Sequence, residues 1–126
     1  MRGVLVDTSV WVDHFRRRNA GLMDLLVLDL VRVHPLVLGE IACGTPPQRL
    51  QTLQDLAQLQ PSQQASVQEV MAFVERESLF GLGCGLVDLM LLASTLIMPG
   101  VALWTLDRRL AQLAQRFDVV HRPALT

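Results

Sequence analysis

The sequence predicts an α/β protein, a three-layer α/β/α sandwich around a short central parallel sheet, on three observations. Short apolar runs alternate with segments of helical periodicity along the whole chain. The runs are apolar at successive positions, the pattern of strands covered on both faces, as parallel strands with helical crossovers are. Two of them give way to an Asp at the start of a helical segment, in keeping with strand-to-helix turns at the carboxyl edge of such a sheet.

The elements follow in order. Gly3-Val4-Leu5-Val6 is a first strand ending at Asp7, and Thr8-Ser9 are expected to cap the helix that Val10, Trp11, Val12 and Phe15 continue. Ala20 to Leu30 carries leucines at helical period, and Val31-Arg32-Val33-His34 forms a short strand closed by Pro35. Leu36 to Cys43 is a helix bearing Glu40. Gly44-Thr45-Pro46-Pro47 ends it, because proline lacks the N–H donor and blocks the preceding helical turn. Gln48 to Gln58 is an amphipathic helix, Pro61-Ser62 separates it from a second over about 65–79, and Gly81, Gly83 and Gly85 form a flexible joint. Leu86 to Met98 reads as a buried helix, Val101 to Thr105 as a strand, Asp107 to Phe117 as a helix with a cationic first turn, and Val119-Val120-His121 as a last strand. Trp11 and Trp104 fall on apolar faces and belong to the core, while His14, His34 and His121 are scattered without metal-ligand spacing.

A chain of 126 residues, 51% hydrophobic, has the size of one compact domain over residues 1–126. Its net charge of −1 speaks against a protein that coats nucleic acid through bulk positive charge, so any contact with a polyanion must be local. Every basic residue is arginine, with clusters at Arg16-Arg17-Arg18 and Arg108-Arg109; the planar guanidinium suits bidentate phosphate contacts. Cys43 and Cys84 lack the paired spacing of a zinc site or a disulfide scaffold and read as small buried apolar residues. Met-Arg-Gly runs straight into the first strand without the features of a signal peptide, from which a cytoplasmic location is expected. The most apolar stretch, Leu86 to Trp104, is broken by Asp88 and by Pro99-Gly100, and falls short of the ~20 apolar residues of a membrane span.

Four carboxylates need a physical reason. Asp7 and Asp107 stand where a strand has just ended, the edge at which open parallel sheets bind ligands. Asp88 opens a helix whose next ten residues, Leu89 to Met98, carry no charge, and Glu40 is the one charged residue between Arg32 and Arg49. Each taken alone has a simpler reading: Asp7 and Asp88 as helix caps, Asp107 as a first-turn acid favoured by the helix dipole, Glu40 as an exposed helix residue. Together, four acids from four segments in apolar surroundings need a shared counter-charge, since burying an unpaired charge costs several kcal/mol, on the order of the whole stability of a domain. A divalent cation is the simplest candidate, because hard cations take several carboxylate oxygens and leave positions for water and phosphate. Ser9 and Thr105 each lie two residues from one of these acids, where a hydroxyl can orient the carboxylate.

Val4-Leu5-Val6-Asp7-Thr8-Ser9-Val10-Trp11, Leu38-Gly39-Glu40-Ile41, Val87-Asp88-Leu89-Met90-Leu91-Leu92-Ala93-Ser94 and Trp104-Thr105-Leu106-Asp107-Arg108-Arg109-Leu110, in that order, resemble the motifs of PIN-domain ribonucleases, specifically the VapC-type toxins of toxin–antitoxin pairs. The resemblance covers nearly the whole chain apart from residues 46–64. It implies a PIN-like sandwich and a Mg²⁺- or Mn²⁺-dependent endoribonuclease that hydrolyses RNA phosphodiesters. Asp7, Glu40, Asp88 and Asp107 would be its metal-binding acids, Asp7 the central ligand and Asp107 the one acting through a second metal or through water. Ser9 and Thr105 would be supporting polar residues, and Arg108 and Arg109 would steer substrate phosphate. It further implies a homodimer held inactive by a VapB-type antitoxin. The third motif departs from the family's usual isoleucine and two alanines at Leu91-Leu92-Ala93-Ser94, a change in helix packing that leaves the acid in place.

Two rival classes of function are weighed against this. A non-catalytic PIN-like scaffold, its acids held by a partner's arginines, is disfavoured by a complete set of four acids. An aspartyl-phosphate phosphoryl-transfer domain is disfavoured by the absence of any lysine, of an acid two residues after Asp7, and of a glycine-rich phosphate loop.

Overall fold

A computed structural model describes residues 2–123. Its elements are β1 (Gly3–Val6), α1 (Thr8–Arg16), α2 (Ala20–Val27), β2 (Val31–Val33), α3 (Pro35–Ala42), α4 (Arg49–Ala57), β3 (Gln60–Pro61), α5 (Val67–Glu77), α6 (Leu86–Leu96), β4 (Val101–Trp104) and α7 (Arg108–Arg116). The strands make one parallel sheet in the order β3-β2-β1-β4. In β1, Val4, Leu5 and Val6 are all fully buried. Successive side chains of a strand point to opposite faces, so both faces of the central strand are covered and the predicted α/β sandwich holds.

The topology decides where a site can form. From β1 the chain moves outward through β2 to β3, then returns across the sheet to place β4 on the other side of β1. Strand order therefore reverses beside β1, and the carboxyl ends of β1 and β4 border the crevice that such a reversal opens. The register sets Val6 opposite Trp104, and the Asp7 amide donates to the Trp104 carbonyl at 2.9 Å, so Asp7 and Thr105 leave the sheet side by side. Trp11 and Trp104 are buried as their positions predict.

Four local expectations need correction. Pro61-Ser62 is not a plain separator: Gln60–Pro61 is an edge strand paired with β2, and Ser62 N donates to Val33 O at 2.9 Å. Two residues are too few for periodicity to register, and an edge strand tolerates a proline whose missing donor would face outward. Val119–Val120–His121 forms no full strand: a single parallel bridge joins Val120 to Leu103, flanked by bonds from Leu103 N to Val119 O and from His121 N to Leu103 O. The second helix stops at Val27 rather than Leu30. Asp29 turns left-handed (φ 56°), and Leu30 N reaches back to Leu25 O in a Schellman-type closure that aims the chain into β2. Cys43 is exposed, because it closes α3 on the outside of the molecule, while Cys84 is half-buried.

Candidate active site

Asp7 is the buried member of the acidic set, 7% exposed. It occupies the N-cap position of α1, yet its carboxylate caps nothing. Instead Oδ2 accepts from the Ser9 hydroxyl at 2.7 Å and from the Thr105 hydroxyl at 2.8 Å. Each hydroxyl is itself held: Leu106 N donates to Ser9 Oγ and Asp107 N to Thr105 Oγ1, both at 3.0 Å. The latch fixes the rotamer of Asp7 and leaves Oδ1 without a protein donor among the described residues. Thr8 and Ser9, expected to cap α1, serve carboxylates instead. Thr8 Oγ1 donates to Glu40 Oε1 at 2.7 Å, which ties α1 to the neighbouring α3.

The other three acids approach from helices. Glu40 is exposed near the end of α3. Asp107, whose simpler reading was a first-turn acid, is exposed at the N-cap of α7 instead, where Oδ1 accepts from Leu110 N at 2.9 Å. Asp88 is half-buried in the first turn of α6, and its Oδ2 accepts from Gly85 N at 3.4 Å. Burial pushes the Asp88 carboxyl above the ordinary Asp value, and the charges of Asp7, Asp107 and Glu40 push it further the same way, against the opposing Gly85 amide. The other three acids thus lie within electrostatic reach of Asp88. Among the described residues the one ion pair is Arg17–Asp13, so no arginine is ion-paired with the set.

Among the described residues no three His, Cys, Asp or Glu side chains already converge as metal ligands. One oxygen of each acid is engaged by a protein donor, and a cation shared by three or more of them would require the carboxylates to draw closer together. The donor set itself, four carboxylates without a cationic partner, suits a hard divalent ion.

Over 107 residues, 85% of this chain and 86% of the relative, the sequence is 44% identical to Ribonuclease VapC32 of Mycobacterium tuberculosis (strain CDC 1551 / Oshkosh). Ribonuclease VapC32 of strain ATCC 25618 / H37Rv gives the same figures. The chain belongs to the VapC ribonuclease family. No family model matches it. VapC membership agrees with the resemblance drawn from the four motifs and with the parallel α/β sheet. No helix among the described residues is long and apolar enough to cross a membrane.

On the Glu40 side of this VapC-family chain's acidic set, a cavity of about 480 Å³ is lined by apolar Val12, Phe15 and Ile41 together with Thr8, Glu40 and Arg16. Sequence reasoning overlooked Thr8 as a carboxylate partner. Its position directly after Asp7 was visible, but the contact depends on α3 packing against α1, which spacing does not reveal. The two arginines expected to steer phosphate are both exposed without a side-chain partner among the described residues, and Arg109 packs against the backbone of Gly83.

Proposed function

We propose that this chain is a Mg²⁺- or Mn²⁺-dependent endoribonuclease that hydrolyses RNA phosphodiester bonds, and that it acts as the toxin of a toxin–antitoxin pair. The observation that supports the reading is an Asp7 carboxylate latched by two hydroxyls at the carboxyl end of β1, in a group of four acids that act on one another electrostatically and have no ion-paired arginine among the described residues. A bound divalent ion supplies acidification of water and positive charge against the phosphoryl oxygens. Asp7, with its rotamer fixed by Ser9 and Thr105, is the anchoring ligand. Asp88, half-buried and crowded by like charge, gains most from a cation. Glu40, steadied by Thr8, and Asp107, at the head of α7, complete the site from the solvent side and orient water. The antitoxin segment would seat apolar side chains in the cavity between Val12, Phe15 and Ile41 and bring a cationic group to the acids. The exposed apolar residues Phe80, Leu82 and Leu86 beside the site support a homodimer or partner face in the same region.

Purified protein incubated with structured RNA should cleave it in Mg²⁺ or Mn²⁺ and stop on chelation. Asp7→Asn should lower the rate by at least about 100-fold while the protein stays folded, the scale of losing a preorganised polar contact in an active site. Full activity in the folded variant, or cleavage indifferent to chelator, would sink the proposal.

A further inference from the structure

Resting on the ribonuclease reading, we infer that Arg109, seated in the gap left by the missing side chain of Gly83, is the residue that grips an RNA backbone phosphate beside the acids, and that Arg108 is not. Gly83 lies between α5 and α6 with φ of +87°, and a Cβ built on it would fall 2.6 Å from Arg109 Nη1, 2.7 Å from Cδ and 3.0 Å from Cζ. A methyl group there would displace the Arg109 side chain. The stem and guanidinium of Arg109 lie directly on the Gly83 backbone, held by packing rather than by a hydrogen bond.

The seat is next to the acidic set. Arg109 is two residues beyond Asp107, and Cys84, adjacent to Gly83, feels the charges of Asp88, Asp107 and Arg109 together. Despite these neighbours, Arg109 makes no ion pair and no hydrogen bond among the described residues. A guanidinium that is oriented, near carboxylates and yet bonded to none keeps its donors for an anion from outside, and its planar fork matches phosphate oxygens. Arg108, equally exposed, is not among the nearest atoms that a Cβ at any glycine would meet.

The glycines of the same loop supply an internal control. Gly81 also has positive φ (+73°), but a Cβ there meets nothing within 4 Å. Gly81→Ala therefore brings backbone strain alone, whereas Gly83→Ala brings strain and displaces Arg109.

The test measures binding of a fluorescein-labelled single-stranded RNA oligonucleotide of mixed sequence to the full chain carrying Asp7→Asn, across a range of NaCl, with thermal melting of every variant. Arg109→Ala is expected to weaken binding on the order of 10-fold and to flatten the slope of log K against log[NaCl] by about 0.7, one phosphate contact on a single strand. Gly83→Ala should flatten it equally; Gly81→Ala and Arg108→Ala should leave it unchanged. Arg109→Lys should keep the slope while binding more weakly, and with Arg109→Ala it carries the test if Gly83→Ala does not fold. Equal effects of Gly83→Ala and Gly81→Ala, equal effects of the two arginine-to-alanine changes, or no RNA binding at all would overturn the inference. So would loss of binding to a protein antitoxin with the RNA slope intact. Failure of the ribonuclease reading would register separately, as absence of chelator-sensitive cleavage by the unsubstituted protein.

Discussion

The inner and outer halves of the acidic site are built on different principles. Asp7 sits at the end of a fully buried strand and is fixed by two hydroxyls that are themselves held by backbone amides. Glu40 and Asp107 stand in solvent on helix ends, each bonded through one oxygen, and Asp88 lies between the two regimes, half-buried. The difference teaches that one acid is preorganised by the sheet and the others are free to adjust. An arrangement of that kind lets a cation enter against a fixed anchor without four buried charges having to face each other in its absence.

The sharpest way to break this comparison is to unlatch the inner acid. Thr105→Val preserves shape but removes the donor to Asp7, and together with Ser9→Ala it should lower metal-dependent RNA cleavage by about 10- to 100-fold, the usual scale for groups that orient a ligand. The metal requirement should shift to higher concentration. Thr8→Ala unties the outer Glu40 and should cost only a few-fold, about 1 kcal/mol or less for one exposed hydrogen bond. Mg²⁺ titrations of initial rates for the three proteins decide it: if Thr8→Ala costs as much as the inner pair, the division into anchored and adjustable acids is wrong.

Much of this contrast was legible in the sequence, and the part that was not has a physical reason. β1, β4 and α6 declared themselves because continuous apolar runs have few alternatives to burial, and the Asp closing β1 could be placed at the carboxyl edge from the alternation alone. Glu40 and Asp88 were conspicuous as charges in charge-free surroundings. The Ser9 hydroxyl could be read as a partner of Asp7 from its place two residues on, whereas Thr8 follows the strand in the position of an ordinary cap, and only the packing of α1 against α3 turns its hydroxyl toward Glu40. The seat of Arg109 on Gly83 was hidden for the same reason, since the two residues are brought together by the folding of a loop onto α7. Cys43 was misplaced because a cysteine resembles a small apolar residue in any periodicity, whether or not the helix end that carries it faces the core.

A second effect, smaller than the first, concerns Asp88. Its folded-state pKa is raised, so the folded protein binds this proton more tightly than the unfolded chain. The associated stability is fully present below the ordinary Asp value of 3.8, is lost as pH rises through the raised value, and leaves a penalty at neutral pH. Metal-free Asp88→Asn should therefore melt above the unsubstituted protein at pH 7, by about 1–3 °C given the screening of a partly exposed group. The difference should vanish toward pH 4. Excess Mg²⁺ should reverse the order by stabilising the unsubstituted protein. A variant that melts lower than the unsubstituted protein in chelator at pH 7 would place Asp88 in a structural role instead.

The smallest effect reads the same field through the thiols. Burial raises the Cys84 thiol, and Asp88 and Asp107 raise it further against the pull of Arg109, whereas Cys43 is exposed at the end of α3. Since the thiolate is the reacting form, a maleimide at neutral pH should label Cys43 first and Cys84 more slowly. Asp88→Asn should speed Cys84 and leave Cys43 as it was; Arg109→Ala should slow Cys84 further. Peptide mapping of partly labelled protein separates the two sites. An equal response of both cysteines to Asp88→Asn would mean that the substitution had loosened the fold, because only a local loss of negative charge acts on Cys84 and spares a thiol on the outside of α3.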